Sequence, residues 1–481
     1  MKISKLKAVN PNTARLLIFL ATFFFIVGGT FLMIRYAQGY RPTKTGTIKG
    51  TGLLSANSFP TAAEVYINGK LTTATDNTLN LDPGIYDIEI KKDGYHTWRK
   101  KIQIVAELVT ETNAQLFPTS PSLEPLTYTG ALMPIPAPDG TKLAFTVASS
   151  SAVAKNGLYV QELSSSPISL NKTARQIART ESNYDYTTSS YTWSPNGNEI
   201  LVSFKTGSHI LLNTTEFNDL ANLKDVTVML PQILSEWELE LAREERIQLL
   251  KLPEFMAKVA TQSATNLYFA PDNKKLLYQA TSDLLIPTGL VPTLPSSSTQ
   301  QEVRGVKSGN WYIYDIKEDK NFQIAEGLPP SPSPSPTTKP KTPTKKIAPS
   351  STSTAIPFAP SKLTLLPNFQ EPIPAELVSS PSAFHILQGN LSTSESIALF
   401  NAQYSPIFVG NIQWYPDSTH LIITTDQGID LIEYDGTNRL TVYGGPMDKS
   451  IVYPWPDGSK IITRLAFSPD TLPNLYTIKL K

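Results

Sequence analysis

The chain has 481 residues, enough for two to four domains, and its 17% of charged residues leave a formal net charge of +1. This weak and balanced charge argues against a nucleic-acid-binding protein, which would present a basic face. The 39 prolines favour turns and linkers over helical bundles, and the absence of cysteine excludes disulfides, thiolate metal sites and a cysteine nucleophile.

The first predicted element is a transmembrane helix. Leu16 to Ile34 form an uncharged, largely apolar run, and about twenty apolar residues cross a bilayer core. A cleaved signal peptide is the main alternative, but its apolar region would span roughly 7–15 residues and end at a small-residue cleavage site. Residues 36–39 make a poor site of that kind. We therefore expect a cytoplasmic tail over residues 1–15 and an uncleaved span over residues 16–35.

The charges that flank this run do not decide its orientation. The basic residues are Lys2, Lys5, Lys7 and Arg15 before it and Arg35, Arg41, Lys44 and Lys49 after it. The positive-inside count is therefore close to a tie. The free N-terminal amine and the character of the domains that follow favour a cytoplasmic N-terminus with the body outside the cytoplasm, in the cell membrane.

Residues 45–117 predict a small β-sandwich. Short alternating segments are separated by turns of defined chemistry: Asn68-Gly69 suits a type I′ hairpin, Asp82-Pro83-Gly84 combines a fixed φ with a glycine, and Asp93-Gly94 is a third tight turn. Residues 85–90 alternate in polarity, as a half-buried strand does. The region is therefore predicted to consist of strands and turns throughout.

These residues resemble the PEGA domain family over Gly52 to Phe117. The resemblance rests on residues 60–63 (Pro-Thr-Ala-Ala), 65–70 (Val-Tyr-Ile-Asn-Gly-Lys), 83–86 (Pro-Gly-Ile-Tyr) and 92–95 (Lys-Asp-Gly-Tyr). Thr61 and Ala62 replace the Glu and Gly of the family's eponymous tetrapeptide. PEGA domains occur mainly in prokaryotic surface and envelope proteins and are non-enzymatic, so the resemblance implies an extracytoplasmic location and no chemistry.

A recurring phrase fills the rest of the chain: a short aromatic-rich strand, a Pro-Asp or Pro-Asn turn and a second apolar strand. Its copies lie at residues 137–145, 193–202, 269–278, 414–423 and 454–462. Proline fixes φ at the first turn position, Asp or Asn bonds to the backbone beyond it, and Gly or Asn takes a position with positive φ. The acidic residues of the phrase are therefore expected to be structural and not catalytic.

Partner strands downstream of several copies complete a four-stranded unit, and such a unit repeated at about forty residues is typical of a β-propeller. The phrase resembles the repeat of TolB-like propellers, although the copies at 269–278 and 414–423 lack its glycine. The predicted fold is mainly β: an N-terminal transmembrane helix, a PEGA-like sandwich and a TolB-like propeller of five to seven blades over residues 125–481.

Two insertions interrupt the predicted propeller. Residues 234–263 are predicted to be helical, with Ser235 and Glu238 as a capping box and Trp237 on the apolar face. This helical region either binds a partner or packs its apolar stripe on its own domain. Residues 328–361 are rich in Pro, Ser and Thr and are expected to be disordered, as an extended spacer or a glycosylated strap.

The sequence nominates no catalytic, cofactor-binding or metal-ligating residue. Its histidines are His96, His209, His385 and His420, and none has metal-ligand spacing. His96 and His420 lie beside turns, where we expect exposed side chains. Nucleophile elbows, P-loops, dinucleotide fingerprints and EF-hand loops are likewise missing from the sequence.

Three functions fit this organisation. The preferred one is a non-enzymatic surface or envelope protein whose β domains bind a macromolecular partner or a cell-wall polymer, and not nucleic acid. A structural spacer of the cell envelope is the alternative, and an enzyme with a propeller active site is the third. An apolar propeller face would favour the binder, a featureless polar face the spacer, and convergent carboxylates or histidines the enzyme.

Overall fold

The structure is a computed structural model that describes residues 11–37, 40–42, 48–148, 152–164, 173–292, 294, 298–326, 411–467 and 472–481. The chain divides into two compact units. The first comprises Met1–Leu116 with Leu294–Gln300, and the second comprises Phe117–Thr293 with Gln301–Lys481. The insertion predicted at residues 328–361 and His385 lie outside the described residues.

The first unit begins with an apolar helix, α1 (Pro11–Ala37). Within it, Arg15–Tyr36 is long and apolar enough to cross a membrane, close to the span predicted at 16–35. Its large apolar side chains are exposed; Phe25 is 81% and Met33 is 75% accessible. A helix that is apolar on all sides, with none of its span buried in the protein, suits a lipid environment.

A two-stranded ribbon, β1 (Tyr40–Pro42) with β2 (Ile48–Gly50), leads to a sandwich of two sheets. The strands of the sandwich are β3 (Gly52–Phe59), β4 (Glu64–Ile67), β5 (Lys70–Ala74), β6 (Asn77–Leu81), β7 (Gly84–Lys91), β8 (Trp98–Ile104) and β9 (Val109–Gln115). One sheet has the order β6-β3-β9 and the other β5-β4-β7-β8. β3 and β9 run parallel, a pairing that the turn signals did not predict.

The predicted turns and alternation of the sandwich are present. Asn68 and Gly69 have φ values of +50° and +78°, as a type I′ turn requires. In β7, Ile88 and Ile90 are buried in the core between the sheets, whereas Ile85 points outward and is 67% exposed. Burial of each such isoleucine stabilises the fold by about 1.5–3 kcal/mol.

The second unit contains, among its described residues, five antiparallel four-stranded sheets, numbered here as blades 1 to 5. The chain enters through β10 (Leu123–Pro125). Blade 1 is β11 (Leu132–Pro136), β12 (Lys142–Val147), β13 (Gly157–Glu162) and β14 (Arg175–Arg179). Blade 2 is β15 (Ser190–Trp193), β16 (Glu199–Ser203), β17 (His209–Asn213) and β18 (Lys224–Asp225).

The remaining blades follow a helical pair, α2 (Leu230–Leu249) and α3 (Glu254–Gln262). Blade 3 is β19 (Ala264–Phe269) and β20 (Lys275–Ala280), then an inserted ribbon of β21 (Leu284–Leu285) and β22 (Gly305–Val306), then β23 (Trp311–Asp315) and β24 (Lys320–Ala325). Blade 4 is β25 (Ile412–Trp414), β26 (His420–Thr424), β27 (Gly428–Glu433) and β28 (Leu440–Gly444). Blade 5 is β29 (Asp448–Pro454), β30 (Lys460–Leu465), β31 (Asn474–Lys479) and the entering strand β10.

Blade 5 is built from both ends of the second unit. Its strand order is β10-β31-β30-β29, so the first strand of the unit pairs with the last. Leu123 lies opposite Ile478, and Pro125 lies opposite Tyr476. This pairing closes the ring of blades, which is how propellers protect their strand edges. The five described blades agree with the prediction of five to seven.

Hydrophobic clusters join neighbouring blades. Separate clusters bridge blades 1 and 2, blades 3 and 4, blades 4 and 5, and blades 5 and 1. Between blades 2 and 3 the described core runs instead through the helical pair. Trp237 of α2 packs on Leu211 of blade 2, and Met256 of α3 packs with Tyr278 of blade 3. The helices therefore carry the described hydrophobic core from blade 2 to blade 3.

The start of the helical region differs from its prediction. α2 begins at Leu230, after Met229, with proline in its first turn. Ser235 and Glu238 therefore lie inside the helix, and the predicted capping box is wrong because a proline-led first turn starts the helix earlier. Of the two alternatives for this region, the structure shows packing on its own domain, since the apolar face that carries Trp237 lies against blade 2.

Candidate interaction surface

The five Pro-Asx turns share one hydrogen-bond pattern. In each, the side-chain Oδ1 accepts from the backbone N–H two residues later at 2.8–3.0 Å. The acceptors are Asp139, Asn196, Asp272, Asp417 and Asp457. Because each of these oxygens holds its own turn, the acidic residues of the phrase have a structural role, as the pattern suggested.

The position with positive φ is occupied in every copy. Its residues are Gly140, Gly197, Asn273, Ser418 and Gly458, with φ between +57° and +73°. Ser418 adopts this conformation in a copy that lacks the glycine, and its hydroxyl accepts a hydrogen bond from the Asp272 N–H of the preceding blade at 3.0 Å. A positive φ is energetically unfavourable for a residue other than glycine. Ser418 makes this hydrogen bond to the neighbouring blade while in that conformation.

Lysines of the phrase tie neighbouring turns together. Lys142 Nζ donates to the carbonyl oxygen of Gly197 at 2.8 Å, and Lys275 Nζ donates to that of Ser418 at 3.2 Å. Lys275 is 7% exposed, and its ammonium lies 4.5 Å from the centre of the Tyr434 ring. Both ammonium groups therefore bind backbone oxygens of the neighbouring blade, and the turns of the phrase contribute to packing between blades.

His420 is buried, which corrects the expectation of an exposed side chain. It is 3% exposed, and its Nδ1 lies 2.6 Å from Asp417 Oδ2. Burial alone would raise the pKa of Asp417, but the charge of His420 and its hydrogen bonds, with those from the backbone, lower that pKa below its usual range. The His420 ring also packs edge-on against Phe117 at 5.1 Å. The buried imidazole is thus packed against an aromatic ring and, with Asp417, stabilises the turn of blade 4.

The other described histidines offer no shared site. His209 is 4% exposed, its Nδ1 lacks a hydrogen-bond partner, and burial lowers its pKa. His96 is half-buried in the other unit, and burial lowers its pKa as well. Within the described ranges, no three His, Asp or Glu side chains are placed to hold a metal ion.

Four exposed apolar side chains lie on the segments that flank the strand pairing which closes the ring. They are Tyr128, Met133, Phe467 and Leu472, which are 79%, 37%, 70% and 41% exposed, and together we call them the closure patch. These residues come from the loop between β10 and β11, the start of β11, and the loop between β30 and β31. Exposed aromatic side chains are enriched at surfaces that bind other macromolecules.

Hydrogen bonds fix the loop between β10 and β11 to residues 473–475 at the start of β31. Thr127 N donates to Leu475 O at 3.2 Å, and Ala131 N donates to Pro473 O at 2.9 Å. The Phe467 ring packs edge-on against Tyr476 at 5.2 Å. The strand that closes the ring therefore holds the backbone on either side of Tyr128, and the Phe467 ring packs on the same strand.

Arg464 of β30 links β29 to the loop between β10 and β11. Arg464 Nε donates to Asp448 Oδ2 at 2.8 Å, and its Nη1 lies 3.4 Å from the carbonyl oxygen of Ala131. The Arg464 side chain is therefore used to hold this loop, and it is only 18% exposed.

A second, smaller apolar surface lies on the helical pair. Leu239 and Ile247 of α2 and Leu250 at its C-terminal cap are 57%, 52% and 55% exposed. Acidic and basic residues intervene along the helix. Scattered leucines of this kind are common on protein surfaces, so α2 is a weaker candidate than the aromatic closure patch.

Comparison with known proteins supports the first domain directly. The family model of the PEGA domain matches residues 51–120, which confirms the resemblance seen in the sequence. No curated protein matches the chain.

Solved structures that resemble the chain include the expected TolB proteins. The one solved as TolB from Agrobacterium tumefaciens is 10% identical, with 76% of this chain and 79% of that chain covered and a TM-score of 0.20. TolB from Acinetobacter baumannii is 10% identical, with 82% and 59% covered and a TM-score of 0.20. An oligogalacturonate lyase in complex with manganese is also 10% identical, with 85% and 81% covered and the same TM-score. Likenesses this remote decide nothing about activity, and the propeller architecture rests on the strand order and the closure of blade 5.

The sequence did not predict the closure patch. Tyr128 and Phe467 lie in loops outside the repeated phrase, and the two loops are brought together by a pairing between opposite ends of the unit. One sequence signal could have indicated these residues: each aromatic residue lies in a turn-rich segment that has no alternating strand to bury it.

Proposed function

We propose that this chain is a single-pass, membrane-anchored protein of the extracytoplasmic surface or cell envelope. In this proposal it binds a macromolecular or cell-wall partner without catalysing a reaction, and the closure patch is the contact surface. The PEGA domain, the apolar helix and the closed propeller support the location and the scaffold. The observation that carries the binding role is the exposure of Tyr128 and Phe467 on loops held by blade 5.

The structural spacer remains the alternative function. The Pro-rich segment at residues 328–361 supports a spacer, and a polar, featureless propeller face would favour that function. The closure patch is apolar and aromatic, which favours the binder. An enzyme is the least supported function, because the buried His420 ring packs against Phe117 and Tyr415 and bonds to Asp417, and the turn carboxylates hold their own backbone.

Site-specific photocrosslinking in the native membrane tests the contact surface. The photoreactive residue p-benzoylphenylalanine is placed at position 128 or 467, and at position 239 on α2 as the matched exposed control. We expect a discrete adduct from positions 128 and 467 and none from position 239. Adducts from position 239 alone would move the contact to the helices, and no adduct from any position would favour the spacer.

A further inference from the structure

The end of α1 is joined to the PEGA domain by a small cluster of side chains. The Arg35 guanidinium lies 4.6 Å from the centre of the Tyr40 ring, and its Nη1 lies 4.0 Å from Glu107 Oε1. The Tyr40 hydroxyl donates a hydrogen bond to the same Glu107 carboxylate, and this bond raises the pKa of Tyr40. One carboxylate thus engages both the last turn of the helix and the first strand after it.

Glu107 itself sits in a loop whose backbone is fixed. It lies between β8 and β9 with a φ of +66°, and its N–H donates to the Thr51 carbonyl at 3.1 Å. The Leu53 N–H donates to Leu108 O at 2.9 Å. At Gly50, a Cβ would lie 3.5 Å from both Ala106 and the Tyr40 ring, so the ribbon packs closely on this loop. Backbone hydrogen bonds and close packing therefore hold the loop that carries Glu107 in place.

The same end of the sandwich exposes apolar side chains. Val109 follows the loop directly and is 54% exposed. Ile85 is 67% exposed, one residue after Gly84, which pairs with Ile104 at the other side of the loop. We call residues 82–85 and 105–109 the membrane-proximal edge.

Resting on the membrane anchoring proposed above, we propose that the membrane-proximal edge of the PEGA domain lies against the lipid surface. The candidate span ends at Tyr36, so Arg35 falls at the depth of the phospholipid headgroups. A separation of 4.0 Å places Glu107 at the same depth. Arg35, whose side chain is 41% exposed, is then shared between Glu107 and lipid phosphate, while Ile85 and Val109 contact the headgroup and acyl boundary.

The chain contains no cysteine, so single spin labels report without background. The full chain is placed in nanodiscs of phosphatidylcholine and phosphatidylglycerol with the label at Val109→Cys or Ile85→Cys. Ile26→Cys marks the span, and Asp93→Cys marks the opposite end of the sandwich, since the eight residues of β7 span roughly 23 Å. Collision with apolar oxygen and with a water-soluble nickel chelate measures the depth of each label.

We expect the labels at Val109 and Ile85 to collide several-fold less with the nickel chelate than the label at Asp93, and Glu107→Gln to raise the nickel collision of the Val109 label. Equal nickel collision at Val109, Ile85 and Asp93, with the Ile26 label in lipid, would overturn the lipid contact and leave the anchor intact. No effect of Glu107→Gln would overturn the role of the Arg35–Glu107 pair. A water-exposed Ile26 label would instead overturn the anchoring itself.

Discussion

Trp414 donates a hydrogen bond from its indole Nε1 to the main-chain oxygen of Tyr268 at 2.8 Å, although the two residues are 146 positions apart. Trp193 makes the equivalent bond to Ile135 at 2.9 Å. Each tryptophan lies two residues before the proline of its turn, and each acceptor lies three residues before the proline of the preceding blade. The repeated phrase therefore specifies contacts between blades as well as the turn within each blade.

Removal of the indole donor should weaken the ring. Trp414→Phe keeps an aromatic ring at a site that is 5% exposed but leaves the Tyr268 carbonyl without this donor. We expect a loss of about 0.5–1.5 kcal/mol in the free energy of unfolding, the usual net contribution of one hydrogen bond. Urea unfolding of a shortened chain that begins near Lys44 measures it. Trp193→Phe is the matched variant and should lose a similar amount; no loss in either variant would contradict the inter-blade role.

The segment at residues 328–361 should be dispensable for the fold. Blades 3 and 4, on either side of it, share a hydrophobic cluster and the Trp414–Tyr268 bond. Loop-closure cost grows slowly, about 0.6 kcal/mol per doubling of a flexible loop. Replacing Pro329 to Pro360 by a short Gly-Ser linker should therefore change the thermal midpoint by only a few degrees.

Proteolysis gives the complementary test of that segment. A single cut there should leave two fragments that co-elute in size-exclusion chromatography, because β10 and β31 pair across the whole unit. Fragments that separate without denaturant would show two independent modules and not one ring.

Two glycines of the phrase should differ in their tolerance of alanine. Gly197 and Gly458 have φ values of +65° and +67°, so either substitution should cost about 1–2 kcal/mol from the left-handed backbone alone. At Gly458 a Cβ would lie 2.8 Å from the buried Tyr415 hydroxyl, whereas at Gly197 the nearest atom is a carboxylate oxygen of Asp139 at 3.4 Å. Urea unfolding should therefore rank Gly458→Ala as the more destabilised; the reverse order would contradict this packing.

Burial of His209 predicts a pH dependence of stability. Burial lowers its pKa in the folded state, outweighing the opposite influence of Asp225, so the unfolded chain binds the proton first as the pH falls. The contribution of His209 is fully present above about pH 6.5 and is lost as the pH falls toward the lower folded pKa. His209→Gln should flatten the dependence of the unfolding free energy between pH 7.5 and 5.5, while His96 keeps its own share. An unchanged slope would show that His209 does not titrate on unfolding.

The elements with local signals were predictable. Asn68-Gly69 predicted the hairpin, and each Pro-Asx pair predicted a turn; the structure has both, with the expected hydrogen bonds in the turns. The β10–β31 closure was not predicted, because Leu123 to Pro125 is too short for a periodic signal and its partner lies at the other end of the chain. His420 was expected to be exposed for a related reason: Phe117, which covers it, is distant in sequence. Sequence patterns report local conformation, whereas ring closure brings together residues that share no local pattern.

Labelling of single cysteines on intact spheroplasts tests the central claim most directly, namely that the apolar helix anchors an extracytoplasmic body. Thr206→Cys lies in an exposed turn of blade 2, and Ser4→Cys lies in the predicted cytoplasmic tail. A membrane-impermeant maleimide should label position 206 without permeabilisation and position 4 only after it, with both proteins retained in membranes after a high-salt wash. Labelling of position 4 but not position 206 before permeabilisation, or release of the protein by salt alone, would contradict the account.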